Sequence, residues 1–320
     1  MNAESLRRLA REHFRAHAGQ YALARDEVEA RYVLNWGGFV NYSYRIADGR
    51  RAYHLKLALG SDGQASLRRW YEVRHLLAPY RTPTIVDWVE LGDAAGMLFE
   101  VVRGMVPALT TEVVDALVPT LSALFADQAL AAALAGPHAV TARDAFMDSF
   151  HERFTEDLRG IGEAPPPFVD AALLAWMHVE VERLRADVGA CSAFGERLVT
   201  PVHGDLWLNN IHWVDRNEWY LLDWDDVRIG DPAADVAALL GPASHDLRPL
   251  KLVERVQGAL TPAQRARLPL LGRATLLDWV IDPFADWVEA EASPEHAETV
   301  RAEKERVHRE ALGVYRGLYG

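Results

Sequence analysis

Apolar residues recur at helical spacing over residues 4–17, where Leu6, Leu9, Ala10 and Phe14 share one face. From Val40 the period becomes two: Val40, Tyr42, Tyr44 and Ile46 alternate with Asn41, Ser43 and Arg45. After a turn at Asp48-Gly49, a second run sets Tyr53, Leu55, Leu57 and Leu59 against His54, Lys56 and Ala58. Two alternating runs joined by a glycine turn predict an antiparallel hairpin. Residues 65–78 read as a helix carrying Leu67, Trp70, Tyr71 and Leu77 and stopped by Pro79, with strands at 84–89 and 96–102. Beyond Gly104 the periodicity is helical over 111–134, 141–158, 168–188, 245–258, 262–281 and 294–316, and the run Pro165-Pro166-Pro167 reads as a connector. The pattern divides the chain into a small sheet-rich domain, 1–102, and a larger, mainly helical one, 103–320.

Composition sharpens this division. A chain of 320 residues is long enough for about two domains, and 50% hydrophobic with 25% charged residues is ordinary globular usage. With 34 Lys and Arg against 46 Asp and Glu the net charge is −12, which opposes non-specific binding of nucleic acid. Residues 1–100 are nearly balanced, at 14 basic to 12 acidic, whereas the rest holds 20 against 34. That asymmetry fits either an acidic surface that keeps the protein dispersed or a second domain that receives a cationic ligand. Cys191 stands alone, so no internal disulfide supports the fold. No signal peptide is expected from the first residues, which are followed by mixed charges, and no run reaches the ~18 apolar residues of a membrane span. The expectation is a cytoplasmic protein with no membrane contact and no protein partner indicated.

The chemistry is concentrated in 198–226. Ile211–Val214 and Trp219–Leu222 are short aromatic and β-branched runs separated by the polar turn Asp215-Arg216-Asn217-Glu218. A four-residue loop sets Val214 opposite Trp219 and, in the same register, Asn210 opposite Asp223. Facing residues hold their Cβ atoms ~5 Å apart. An amide oxygen and a carboxylate that close suit a hard cation such as Mg²⁺, which leaves positions for phosphate oxygens; equally, such residues cap strand ends. Asp205, five residues before Asn210 in a loop that must curl back towards the hairpin, adds a carboxylate able to accept a hydroxyl proton. An Asp, an Asn five residues on and a strand-ending Asp form the base-and-metal arrangement of kinases.

Together, His203-Gly204-Asp205-Leu206-x-x-x-Asn210, Leu221-Leu222-Asp223-Trp224-Asp225 and Gly230-Asp231-Pro232-x-x-Asp235-x-Ala237 resemble the aminoglycoside phosphotransferase and choline kinase-like family. The resemblance covers most of the chain and implies an α+β, protein-kinase-like fold of two lobes. It implies ATP or GTP and Mg²⁺ as cofactors, Asp205 as base, and Asn210 and Asp223 as metal ligands. In the first domain Gly37-Gly38-Phe39-Val40-Asn41-Tyr42-Ser43 resembles the phosphate-covering loop, with Asn41 and Ser43 touching phosphate. Lys56 takes the place of the ATP-binding lysine, Glu72 is its expected partner, and the run Phe99 to Gly104, with Glu100 and Val102, resembles the hinge whose backbone would hold adenine. His203 and Asp235 are expected to support the catalytic loop.

The chain departs from protein kinases where Gly204 replaces the arginine of His-Arg-Asp, and where only eleven residues separate Asp223 from Asp235. Both departures oppose a phosphorylated activation segment and favour a small-molecule kinase. Its hydroxyl acceptor, expected to be cationic, would be met by Asp225, Asp226, Asp278, Asp282 and Asp286, with Trp279 and Trp287. The alternative places these acids on the wet side of an amphipathic helix that Pro283 ends or kinks. Two other functions stay open at this point: a two-metal phosphoesterase built on His203, Asp205, Asn210, Asp223 and Asp231, and a catalytically silent nucleotide-binding module.

Overall fold

The computed structural model describes residues 2–33, 41–136, 138, 140–241, 250–289 and 297–320. Along the chain these are α1 (Ala3–Ala16), β1 (Glu29–Val33), β2 (Asn41–Ala47), β3 (Ala52–Ala58), α2 (Ser61–Leu77), β4 (Ile85–Leu91) and β5 (Ala94–Glu100). Next come α3 (Thr111–Phe125), α4 (Gln128–Leu134), α5 (Ala142–Phe146), α6 (Arg153–Glu163), α7 (Ala171–Ala190) and β6 (Thr200–Val202). The remainder is β7 (Ile211–Trp213), β8 (Trp219–Leu221), β9 (Arg228–Gly230), α8 (Pro232–Leu240), α9 (Leu250–Gln257), α10 (Pro262–Glu289) and α11 (Ala297–Tyr319). The chain is α+β, as expected, and forms two compact units: Met1–Pro107 with Asn209–Val227, and Ala108–Leu208 with Arg228–Gly320.

The first unit is built on an antiparallel sheet in the order β1-β2-β3-β5-β4. Its hairpin β2–β3 forms because Asp48 Oδ1 accepts the N–H of Arg50 (2.9 Å) and Arg51 (2.7 Å), and Gly49 supplies φ 84°. Leu6, Ala10 and Phe14 of α1 pack with Tyr44, Ile46, Leu55 and Leu98 in one buried cluster, where each leucine, isoleucine or phenylalanine contributes ~1.5–3 kcal/mol. The sequence pattern missed β1. It is an edge strand whose only fully buried residue is Ala30, so it carries almost no alternating signal. Gly96 of β5 is required by close approach: a Cβ there would lie 1.9 Å from the Lys56 carbonyl oxygen.

The sequence boundary at 102/103 therefore differs from the observed grouping. The β7–β8 hairpin belongs to the first unit because its backbone is bonded there. Trp213 and Met105 exchange N–H···O bonds of 2.9 and 3.1 Å, and the Leu221 N–H donates to Arg81 O at 3.0 Å. Gly104, at φ 107°, lets the chain lie against the Trp213 backbone.

In the second unit the helices start on local caps: Thr110 for α3, Asp127 for α4, a Thr141/Asp144 capping box for α5 and Asp170 for α7. The Asp127 cap splits the expected helix 111–134 in two. The expected helix 141–158 instead holds a wide π-turn, Met147–Glu152. As expected, α10 contains Pro269, but it also continues past residue 281 through Pro283. Burial of Leu276, Leu277, Val280, Ile281 and Phe284 outweighs the ~3 kcal/mol that an internal proline costs. Buried ion pairs tie α10 to its neighbours: Arg267 to Asp231 at the start of α8 (2.6 Å), and Arg273 to Glu180 of α7 (2.8 Å). Among the described residues no single helix is long and apolar enough to cross a membrane.

Candidate functional site

Lys56 stands in the middle of β3, between Ser43 of β2 and Met97 of β5, and is 7% exposed. Asn41 and Ser43 are two apart on β2, and therefore share a sheet face. An ammonium so deeply buried needs compensation, and it has two partners. Lys56 Nζ is ion-paired with Asp223 Oδ1 and, at 2.5 Å, with Asp225 Oδ2. Burial alone would lower the lysine, but the charges of Asp223 and Asp225 overcome it and hold the ammonium well above its ordinary range. Burial pushes the Asp225 carboxyl well above the usual carboxylate range, with Lys56 opposing. His54, one place back on the same face of β3, is pushed down to about 4 by burial and then by the Lys56 charge, so it is neutral at pH 7.

The two carboxylates reach Lys56 through a turn that sequence reasoning did not foresee. Asp215 Oδ1 accepts the N–H of Asn217 (2.7 Å) and Glu218 (3.0 Å), and the loop closes as Val214–Glu218. Trp213, not Val214, then faces Trp219, and the expected pairing is one residue out of step. Asn210 lies opposite Leu222, accepting its N–H at 2.7 Å. Asp223 stands one position beyond, in the left-handed region at φ 61°, ψ 60°. A non-glycine residue there costs ~1–3 kcal/mol and persists only where its surroundings hold it. Here Trp224, fully buried, holds the turn by donating Nε1–H to Leu221 O at 2.9 Å.

Several sequence expectations are revised at this site. Glu72 is on the exposed side of α2, away from its buried stripe Leu67, Trp70, Val73 and Leu77. Lys56 is paired with Asp223 and Asp225 instead. Asn41 turns its amide to Asp225, Nδ2 donating to Oδ2 at 3.0 Å. Ser43 is buried opposite Lys56. Glu100 ends β5 with its N–H donated to Thr84 O (3.0 Å), and Val102 is half-buried in the irregular stretch that follows. Gly37 and Gly38 lie outside the described residues.

A cation such as Mg²⁺ fits the donors present. Asn210, Asp223 and Asp225 offer oxygens, the chemistry that a hard dication takes. Asp225 Oδ1 and Asn41 Oδ1 are buried acceptors with no hydrogen-bond partner among the described residues. Among those residues, no group of three or more His, Cys, Asp or Glu side chains is placed to hold a metal by itself. A site that completes its coordination with phosphate and water needs no such group.

In the second unit, β6 leads into His203-Gly204-Asp205 and pairs with β9, which leads into α8. Gly204 takes φ 91°. Asp235 of α8 accepts the N–H of His203 at 2.8 Å and of Gly204 at 2.9 Å. The Asp205 N–H donates to His203 Nδ1 at 3.3 Å. Burial pushes the Asp235 carboxyl up to about 6 against the pull of those two N–H groups.

Three of the five acids expected to receive a cationic acceptor are already paired. Arg153 donates to Asp278 Oδ1 (2.5 Å) and Asp282 Oδ1 (3.2 Å), and Asp225 is held by Lys56 and Asn41. Asp226 is exposed in the turn after β8, Trp287 lies under Arg301, and the Asp286 side chain is outside the description. The Asp278 carboxyl is pushed up by burial, against Arg153. No local pattern could have named Arg153, which is 125 residues from Asp278. Trp279 packs on Trp207, ring centroids 5.5 Å apart. Both rings are partly exposed, and Trp207 donates its N–H to Asp205 O at 3.1 Å. Trp207 was overlooked although it lies inside the Asp205–Asn210 motif; a large aromatic in so polar a loop is the signal that could have found it.

Residues 31–271 match the phosphotransferase enzyme family, APH. In structure the chain is similar to choline kinase from Cryptosporidium parvum Iowa II, at 13% identity and TM-score 0.61 over 96% of this chain and 97% of that one. It is similar to APH(2")-IIia in complex with GDP and kanamycin, at 16% identity and TM-score 0.60 over 89% and 93%. A putative aminoglycoside phosphotransferase from Ralstonia eutropha gives 14% identity and TM-score 0.57 over 96% and 98%. At such identities the likeness is one of fold. No curated protein is significantly similar in sequence.

Proposed function

We propose that this chain, which belongs to the phosphotransferase enzyme family, transfers the γ-phosphoryl group of ATP or GTP to a hydroxyl of a small molecule. The observation that carries the reading is the buried Lys56, on the central strand of the first unit, with Asp223 and Asp225 at its Nζ. A phosphoesterase would leave that lysine without work. A nucleotide brings phosphate oxygens for Lys56. Mg²⁺, bound through Asn210 and Asp223, would supply neutralisation of phosphate charge.

Asp205 is the proposed base. It accepts the acceptor's hydroxyl proton as the acceptor oxygen bonds to the γ-phosphorus; the bond from that phosphorus to the bridging oxygen breaks, and its electron pair leaves with the nucleoside diphosphate. In such loose transfer, positioning and charge compensation do most of the work. Asp235 and His203 serve by fixing the loop that carries Asp205. With Asp278 and Asp282 sharing the single charge of Arg153, acceptor recognition is assigned to the partly exposed Trp207 and Trp279, whose faces suit an amino group as well as the carbon skeleton of a sugar, an aminoglycoside or an amino alcohol.

Thermal unfolding with ATP or GTP, with and without Mg²⁺, tests the nucleotide half without knowledge of the acceptor. A rise in Tm that needs both nucleotide and Mg²⁺ is expected; stabilisation by metal alone would refute nucleotide use. Release of ADP or GDP is then assayed against sugars, aminoglycosides and amino alcohols. Asp205→Ala should abolish release while leaving the nucleotide-dependent shift intact, and undiminished turnover in that variant would remove Asp205 from the chemistry.

A further inference from the structure

We infer that Asn41 is a positioning residue for Asp225, holding that carboxylate in place when Lys56 turns to the nucleotide. The inference rests on the phosphotransferase reading of the same site. Asp225 Oδ2 accepts from Lys56 Nζ at 2.5 Å and from Asn41 Nδ2 at 3.0 Å, while Lys56 also holds Asp223. One ammonium, with three N–H donors, therefore serves two carboxylates, and a bound phosphate competes with both for it. Where phosphate draws Lys56 away, the Asn41 amide still donates to Asp225 Oδ2.

The backbone fixes Asn41 for this task. It opens β2 opposite Ala58, two residues before Ser43, which stands opposite Lys56, so Asn41 and Lys56 approach Asp225 from one sheet face. A neutral amide adds a hydrogen bond without adding charge beside two carboxylates and an ammonium. It also leaves Asp225 Oδ1, buried and without a hydrogen-bond partner among the described residues, as the oxygen kept ready for a divalent cation. This differs from the sequence expectation, in which Asn41 touches phosphate, and the two assignments make opposite predictions. A direct phosphate contact is lost with or without metal; a contact acting through Asp225 matters only when the cation is present.

The full-length wild type, Asn41→Ala, Asn41→Gln, Asp225→Asn and the Asn41→Ala/Asp225→Asn double variant are titrated calorimetrically with AMP-PNP and GMP-PNP, in EDTA and in Mn²⁺. Bound Mn²⁺ is counted by electron paramagnetic resonance. For Asn41→Ala, loss of a hydrogen bond to a charged acceptor should weaken binding about tenfold in Mn²⁺ and leave it unchanged in EDTA. The effect should vanish in the Asp225→Asn background, and Asn41→Gln, which keeps the amide, should recover part of it. Equal loss in EDTA, additivity with Asp225→Asn, or no loss in Mn²⁺ would each overturn the assignment while leaving the phosphotransferase reading standing. If the wild type binds neither analogue in Mn²⁺, that reading falls and takes the assignment with it.

Discussion

Asp235→Asn should reduce the pH dependence of stability while loosening the loop that carries Asp205. Asp235 is 3% exposed and accepts two backbone N–H groups, from His203 and Gly204. Burial, reinforced by the Asp205 charge and opposed by those bonds and Arg228, holds its carboxyl at about 6, against an ordinary 3.8. The folded protein thus binds this proton more tightly than the unfolded chain does. The resulting stabilisation is full below the unfolded value and is lost as pH rises through the folded one, an interval worth ~3 kcal/mol. Asparagine has no such proton, so the stability difference should move by ~3 kcal/mol in the variant's favour between about pH 4 and pH 7. The substitution also turns an acceptor oxygen into an N–H₂ facing a backbone N–H, a cost of ~1–3 kcal/mol at every pH. The variant should therefore be ~1–3 kcal/mol less stable than wild type in acid and between equal and ~2 kcal/mol more stable at neutrality, with lower turnover from a less firmly anchored loop. Urea titrations across that range, followed by tryptophan fluorescence, measure the difference directly. A difference that stays constant with pH would refute a raised Asp235 carboxyl.

Lys56→Met leaves Asp223 and Asp225 without their cation, so a loss of ~3–5 kcal/mol at neutral pH is expected. The loss should shrink in acid as the carboxylates protonate, and urea midpoints at low and neutral pH give both numbers. Arg153→Ala strips the cation from Asp278, whose carboxyl is already pushed up by burial. Its Tm deficit should be larger above neutrality than in acid, and equal deficits would contradict the pairing. Gly96→Ala drives a Cβ to within 1.9 Å of the Lys56 carbonyl oxygen, a backbone atom that cannot swing aside. It should cost ~3 kcal/mol or more and weaken the nucleotide-dependent thermal shift by displacing β3; wild-type stability would show that β3 and β5 are farther apart.

What the sequence determined by itself is what lies within a few residues of itself. Alternation over 40–59 located the β2–β3 hairpin because strand period and turn chemistry are local. The spacing from His203 through Asp205 to Asn210, with Asp223 and Asp235 downstream, pointed to phosphoryl transfer because chemistry that needs a base and metal ligands on one loop and one hairpin leaves a short-range signature. Tertiary structure decided the partners. Lys56 meets carboxylates 167 and 169 residues away, and Arg153 meets Asp278 and Asp282 across 125 and 129. No periodicity spans such distances, and one surface acid looks like another until packing selects it. The β6–β9 pair joins three-residue strands from separate parts of the chain, too short to stand out from loop. The β7–β8 register turned on a single side chain, Asp215, whose bonds to the following N–H groups enlarged the loop by one residue and set Asp223 one step beyond the place opposite Asn210. Local pattern names the groups that can do chemistry; burial, by making every charge find a counter-charge, decides which of them meet.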